Sequence, residues 1–249
     1  MNYNVISLKD TPKRLDNFYK NNPFMTDLVN VFSGIDGRYL SPQQIGEIKS
    51  DDKKMLPGEV GCALSHKYLW ERVILIDESM TIFEDDVVLH PCFLEKSKEI
   101  FDDFSHKSLT YDFILWGWSY NSTLEFDFFN GLFPGAMINL DNVIRANIND
   151  ILTMTNFQTL LVRLQKTFGL FAYTVSPMGA QKMLDKAFPI QDDIIKYIVG
   201  GKKVPIFGID TQLNKIFKNM NAYACLPPLA YHTSGQGSII RGKYLSEKI

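Results

Sequence analysis

The run TIFEDDVVLHP, residues 81–91, decides how the fold is read and poses the central chemical problem of this chain. A short apolar segment, MTIFED (80–85), runs straight into Glu84, Asp85 and Asp86, and apolar residues resume at once. β-Branched and aromatic residues in so short a run read as a buried strand. Three consecutive carboxylates at its end repel one another, so the pattern calls for a neutralising cation. In α/β sheets ligands collect beyond the carboxyl ends of the strands, where this triplet falls. Hard oxygen donors there suit Mg²⁺ or Mn²⁺, with positions left for phosphate oxygens. A solvated acidic turn is the competing reading of the same three residues.

Outward from the triplet, strands and helices alternate. YNVISL (3–8) reads as an opening strand, followed by a helix with Thr11 as cap and Pro12 at its first position. DLVNVFSGIDG (27–37) reads as a second strand ending in a glycine-punctuated loop. PGEVGCALSHKYLWERVILID (57–77) is the strongest helix signal: Cys62, His66, Leu69, Val73 and Ile76 fall on one face. Pro91 opens a helix reaching about Phe104, and YDFILWGWSY (111–120) and FGLFAYTVS (168–176) read as buried strands. Ser176 caps a helix with Pro177 at its start, 209–219 reads as helical, and 222–232 as a late strand. The expectation is a single α/β domain over 1–249, with a mostly parallel central sheet flanked by helices. The alternation fails between 121 and 167, which reads as an insertion on the acceptor side.

Composition narrows the function. The 249 residues, 45% hydrophobic and 22% charged, suit a globular protein with a full core. A net charge of -2 argues against a nucleic-acid partner. The N-terminus lacks the pattern of a secretory signal, and no run is long enough to span a bilayer. Cys62, Cys92 and Cys225 are odd in number and widely spaced, which fits neither a disulfide framework nor a paired-ligand zinc site. A cytoplasmic location follows as the expectation. A Walker-type phosphate loop and the H-E-x-x-H zinc motif are both absent from the sequence.

Several stretches together resemble glycosyltransferase family 25, the enzymes of lipopolysaccharide outer-core synthesis and collagen hydroxylysine galactosylation. VISLKDTPKRLDNF (5–18) resembles its opening strand, GIDGR (34–38) its second loop, and PGEVGCALSHKYLWERV (57–73) its most recognisable helix. IFEDDVVL (82–89) is similar to its acidic metal motif, FGLFAYTVSPMGAQKML (168–184) to its later strand-helix unit, and GIDTQL (208–213) to the element after that. The resemblance implies a GT-A-like fold, a nucleotide-sugar donor, a divalent ion and inversion at the anomeric carbon. The donor it suggests is UDP-galactose, with UDP-glucose or a UDP-N-acetylhexosamine as alternatives. Without a secretory signal, the bacterial lipooligosaccharide branch fits better, with a lipid-linked oligosaccharide acceptor and peripheral contact with the inner membrane.

By that resemblance Asp86 is the first metal ligand, with Glu84 assisting directly or through water, and Asp85 turns to the ribose or supports the ligands from behind. Ser7 and Leu8 fall where the family's fold places the nucleotide, with Asp36 and Gly37 on the neighbouring loop. Arg14 adds positive charge there, or is an exposed helix arginine. Ser65 and His66 join the nucleotide site by the family match, although periodicity alone makes His66 a core histidine. His232 is a further metal ligand or a loop histidine. Asp210 is the candidate general base, against a helix-cap role, with Asp192 and Asp193 as alternatives that suit a helix start. Trp116 and Trp118 offer either a face for a sugar ring or core packing, while Phe171 and Tyr173 read as core. The rival functions are a Mg²⁺-dependent phosphohydrolase of nucleotide sugars and a non-catalytic sugar- or nucleotide-binding module.

Overall fold

The computed structural model describes residues 1–118, 123–127, 136–197, 201 and 203–232. β1 (Asn2–Ser7), β2 (Val29–Ser33) and β3 (Met80–Glu84) are parallel neighbours, with β1 in the middle. α1 (Pro12–Asn21) links the first two, and α3 (Pro57–Ile76) leads into β3 after a short α2 (Pro42–Ile48). β4 (Val87–Leu89) and α4 (Phe93–His106) follow the acidic turn, and β5 (Phe113–Gly117) enters the sheet. Then come β6 (Thr123–Asp127), β7 (Ala136–Asn139), α5 (Asp141–Thr153), β8 (Leu160–Lys166), β9 (Ala172–Val175) and α6 (Pro177–Ala187). A small ribbon of β10 (Ile194–Lys196) and β11 (Lys203–Pro205) precedes α7 (Ile209–Leu213), β12 (Ala222–Leu226) and β13 (Ala230–His232).

The main sheet has nine strands in the order β2-β1-β3-β9-β5-β12-β8-β6-β7. The expected mostly parallel sheet is corrected: β1–β2, β1–β3 and β5–β12 are parallel, and the other five neighbouring pairs are antiparallel. β9 makes two of these pairs by inserting between β3 and β5 with opposite direction, and β8, β6 and β7 make the other three. A continuous apolar run such as FILWG says that both faces are covered, but it carries no information on strand direction. The segment 121–167 supplies β6, β7 and β8, which extend the sheet on its far side, and α5. Residues 119–122 and 128–135, within or beside that segment, lie outside the described residues, as does the Gly/Ser stretch after His232.

Period-two alternation divides the core. Ile82, Phe113, Leu115, Tyr173 and Val175 pack with α3 and α6 on one face, while Val5, Phe83, Ile114, Trp116 and Ala172 pack with α1 and α4 on the other. Trp116 and Trp118 are both fully buried, which gives them core roles. The residues 209–219 form a shorter helix than expected, with a separate 3-10 turn at Phe217–Asn219. The late strand is split at Pro227 and Pro228, as expected of residues without a backbone donor. Asp192 and Asp193 precede a short strand and not a helix. Among the described residues, no helix is long and apolar enough to cross a membrane.

Candidate active site

The carboxyl ends of β1, β2 and β3 share one edge of the sheet, because the three strands are parallel. The acidic triplet lies on that edge, and strand alternation separates its members. Glu84 continues the Met80–Ile82 series and turns toward α3. Asp85 turns the other way, toward α1, where Ser7 Oγ donates to its Oδ2 at 2.7 Å. Asp86 follows in the turn, and only 5% of each aspartate is exposed.

The cations that hold the two aspartates are part of the protein. Arg14 Nε donates to Asp85 Oδ1 at 2.8 Å, and its Nη2 donates to Asp86 Oδ2 at 2.9 Å. The pairing of β13 with β4 sets His232 opposite Val87, and its Nε2 lies 3.2 Å from Asp86 Oδ2. Burial alone would raise the Asp86 carboxyl, but the hydrogen bond and charge of His232, with the charge of Arg14, hold it below its ordinary value. Burial likewise opposes the imidazolium of His232, yet Asp86 and Glu84 raise its pKa. For Asp85 burial prevails and the carboxyl is raised, despite Arg14 and Ser7. Arg14 is therefore a bridge between two acids, and its exposed-arginine reading fails: its side chain is 15% exposed.

Glu84 belongs to a second group. Its Oε1 lies 3.6 Å from His66 Nε2, and one ligand atom each from Cys62, His66 and Glu84 falls within 4.8 Å of the others. His66 is 1% exposed and its Nδ1 lies 2.8 Å from the Tyr173 hydroxyl, which also accepts from Trp70 Nε1 at 2.8 Å. The periodicity reading of a hydrogen-bonded core histidine thus describes one ring nitrogen, while the other faces the acidic end of β3. By periodicity Cys62 lies on the apolar stripe of its helix. Its i, i+4 spacing from His66 was the available signal that the two share one helix face.

Asp210 occupies the first turn of α7, and the helix cap is Gly208. Its Oδ2 accepts from the Gly169 amide at 2.9 Å and its Oδ1 from the Thr211 amide at 2.8 Å. Burial raises this carboxyl, the two amides oppose the rise, Glu84 adds to it and His66 lessens it. Asp210 is thus within electrostatic reach of the Glu84–His66 group. The alternatives are spent elsewhere: Asp192 pairs with Lys53 at 2.9 Å and Asp193 with Lys215 at 2.7 Å.

The remaining candidates form the wall beside β1 and β2. Ser65 Oγ donates to Gly61 O and accepts from the Ile35 amide, both at 2.8 Å, so it braces the β2 loop against α3. Gly37 is there for close approach: a Cβ would stand 1.6 Å from Pro57 O. Asp36 accepts from the Arg38 amide at 3.0 Å and from its guanidinium. The Leu8 carbonyl accepts from the Thr11 amide at 3.1 Å as the chain leaves β1.

For a divalent ion the Asp86–His232 pair fits. Metal–ligand bonds of about 2.1 Å at right angles put neighbouring donors about 3.0 Å apart, close to the separation of Oδ2 and Nε2. A carboxylate with an imidazole suits Mn²⁺. Arg14 shares the same Oδ2 and would compete for it.

Comparison with known proteins places the chain in a family. The chain is 29% identical over 110 residues to a glycosyltransferase 25 family member of Aedes aegypti, which is 40% of this chain and 18% of that protein. It is 28% identical over 124 residues, 45% of this chain, to proteins of Rattus norvegicus and Homo sapiens. The first is named a probable inactive and the second an inactive glycosyltransferase 25 family member 3, matched over 22% and 21% of their lengths. These matches thus span about a fifth of each relative. Among solved structures, A197 from STIV overlays with a TM-score of 0.41 at 13% identity, over 94% of this chain and 86% of that one. The family model for glycosyltransferase family 25 (LPS biosynthesis protein) matches residues 1–196, and the chain belongs to that family.

Proposed function

We infer that this protein is an inverting, metal-dependent glycosyltransferase with a GT-A-like nucleotide-sugar site, moving a hexose from a UDP-sugar to a glycan acceptor. The observation that carries the reading is an anchored carboxylate, Asp210, within electrostatic reach of Glu84, whose neighbours Asp85 and Asp86 are held by Arg14 and His232. Asp86 and His232 would hold Mn²⁺ or Mg²⁺, with Glu84 contributing directly or through water. When bound, the ion stabilises the negative charge that builds on the diphosphate leaving group. Arg14 adds positive charge beside it. Asp85 and Ser7 face the ribose, and Leu8, Asp36, Gly37, Ser65 and His66 wall the nucleotide.

Asp210 accepts the proton of the acceptor hydroxyl as its oxygen attacks the anomeric carbon. The bond from that carbon to the diphosphate oxygen breaks in the same step, and UDP leaves. A carboxyl raised by burial is a stronger base than an exposed aspartate, and two backbone amides fix its direction. The donor we favour is UDP-galactose and the acceptor a lipooligosaccharide core, in a bacterial cytoplasm at the inner face of the membrane. The elements of 121–167 would then meet the acceptor and that surface.

One observation favours a second reading. Asp85 and Asp86 are already engaged by Arg14 and His232, and relatives of this chain carry the name inactive, so a non-catalytic nucleotide- or sugar-binding module is the rival. The deciding assay is UDP release from a panel of UDP-sugars, with Mn²⁺ or with EDTA, with and without oligosaccharide acceptors. Metal-dependent release that rises with acceptor and disappears in Asp86→Ala and Asp210→Ala supports the transferase. Equal release without acceptor supports a phosphohydrolase, and binding without release supports the module.

A further inference from the structure

On the Glu84 side of the triplet the sheet edge gathers a second group of donor atoms, apart from the Asp86–His232 pair. Cys62 and His66 stand one turn apart on α3, and Glu84 reaches them from the end of β3. Among the described residues, these three form the group whose ligand atoms all lie within 4.8 Å of one another. A second observation points into the same space: His66 Nε2 is buried and has no hydrogen-bond partner, and it faces Glu84 Oε1 across 3.6 Å. A buried ring nitrogen left without a partner costs free energy unless something meets it. The potential there is negative, because Glu84, Asp210, Asp86 and Glu59 all act on the Cys62 sulfur.

We propose that Cys62, His66 and Glu84 form a second cation site, selective for a borderline-soft divalent ion of the Zn²⁺ type. A thiolate, an imidazole and a carboxylate make a sulfur–nitrogen–oxygen donor set, which favours Zn²⁺ over the Mn²⁺ or Mg²⁺ suited to Asp86. Three protein ligands leave a fourth tetrahedral position for water or a substrate oxygen. Bonds of about 2.0–2.3 Å require donor separations of about 3.3–3.8 Å, so the group must contract by about an ångström. Glu84, whose side chain is 32% exposed, has the freedom to close that gap. The orienting contact already exists: the Tyr173 hydroxyl sits 2.8 Å from His66 Nδ1 and can accept its N–H, as metal-bound histidines require of a neighbour. Binding exchanges the Cys62 thiol proton for the metal, which releases one proton to solvent. The site depends on these three side chains alone and holds whether or not the protein transfers sugar.

The test is spectroscopic. Protein stripped with EDTA and then freed of it is titrated with Co²⁺, whose thiolate complexes show a sulfur-to-cobalt charge-transfer band in the near ultraviolet. One equivalent of Co²⁺ should produce the band and one equivalent of Zn²⁺ should abolish it. Cys62→Ser should remove the band and Glu84→Gln should weaken binding at least tenfold, while Cys92→Ser and Asp86→Asn should keep it. A wild-type titration without the band overturns the proposal. So does a band that survives Cys62→Ser, or one that is lost in Cys92→Ser. Should Cys62→Ser not fold, the wild-type band together with the Glu84→Gln affinity decides the question.

Discussion

Replacing Arg14 with methionine keeps an apolar stem and removes the charge that bridges Asp85 and Asp86. Both carboxylates are 5% exposed, and Arg14 meets them at 2.8 Å and 2.9 Å. Removing one partner of a buried ion pair costs about 3–5 kcal/mol. Here Ser7 and His232 remain as partners, and the arginine is 15% exposed, so a cost of about 2–3 kcal/mol is expected for the metal-free protein. For a chain of this size each kcal/mol moves Tm by about 2–4 °C, which gives a fall of about 4–12 °C. The variant should also respond more strongly to Mn²⁺, because Arg14 no longer competes for Asp86 Oδ2. An ion at 100 times its Kd adds about 2.7 kcal/mol, enough to recover most of the loss. Differential scanning fluorimetry with EDTA and with Mn²⁺ measures both effects. A variant within about 2 °C of wild type in EDTA, or a cation-induced shift no larger than that of wild type, would refute the assignment of Arg14 as the resident counter-ion.

Four further outcomes are expected. The raised pKa of His232 means that its pairing with Asp86 contributes stability that is full below the unfolded histidine value of about 6.5 and lost as pH climbs through the folded value. Tm of the EDTA-treated protein should therefore decline above about pH 6.5, and His232→Asn should flatten that decline. In Gly37→Ala the new Cβ would meet backbone 1.6 Å away, so the β2 loop must leave α3; an unfolding free energy lower by about 3 kcal/mol or more is expected from urea titration. Tyr173→Phe strands Trp70 Nε1 and His66 Nδ1 in the core, which should cost about 2–4 kcal/mol by the same measurement. Asp210→Asn should suppress UDP release with little change in Tm, because an amide oxygen still accepts from Gly169 or Thr211, whereas Asp192→Asn should leave release intact.

The elements were legible in the sequence because their signals are local. Pro12, Pro57 and Pro177 open α1, α3 and α6, and the Ser176 cap does bond the Gly179 amide. Strand direction was not legible, since FILWG and AYTV show burial on both faces and nothing about which way each strand runs. Nor was the partner of Asp86: His232 reaches it only because β13 pairs with β4 across more than 140 residues of sequence. The separation of Glu84 from Asp85 was legible in principle, because successive residues of a strand face opposite ways. Reading the three acids as one cluster overlooked that periodicity. Cys62 escaped notice for the opposite reason, since a cysteine on an apolar helix stripe looks like core.

These geometries change how the acidic turn is to be understood. Three adjacent carboxylates need opposing charge whenever no metal is bound, and the fold supplies it from Arg14 and His232 on one face of the sheet. A divalent ion at Asp86 would therefore not fill a bare acidic hole; it would compete with the Arg14 guanidinium and with protonation of His232. Its affinity should rise with pH, as His232 becomes neutral, even while the metal-free protein loses stability over the same range. The opposite slopes follow from one hydrogen bond, and measuring both on one preparation separates an exchange of cations at Asp86 from a cation bound elsewhere. Glu84 faces Cys62 and His66 and acts on the His232 side of this exchange through its charge.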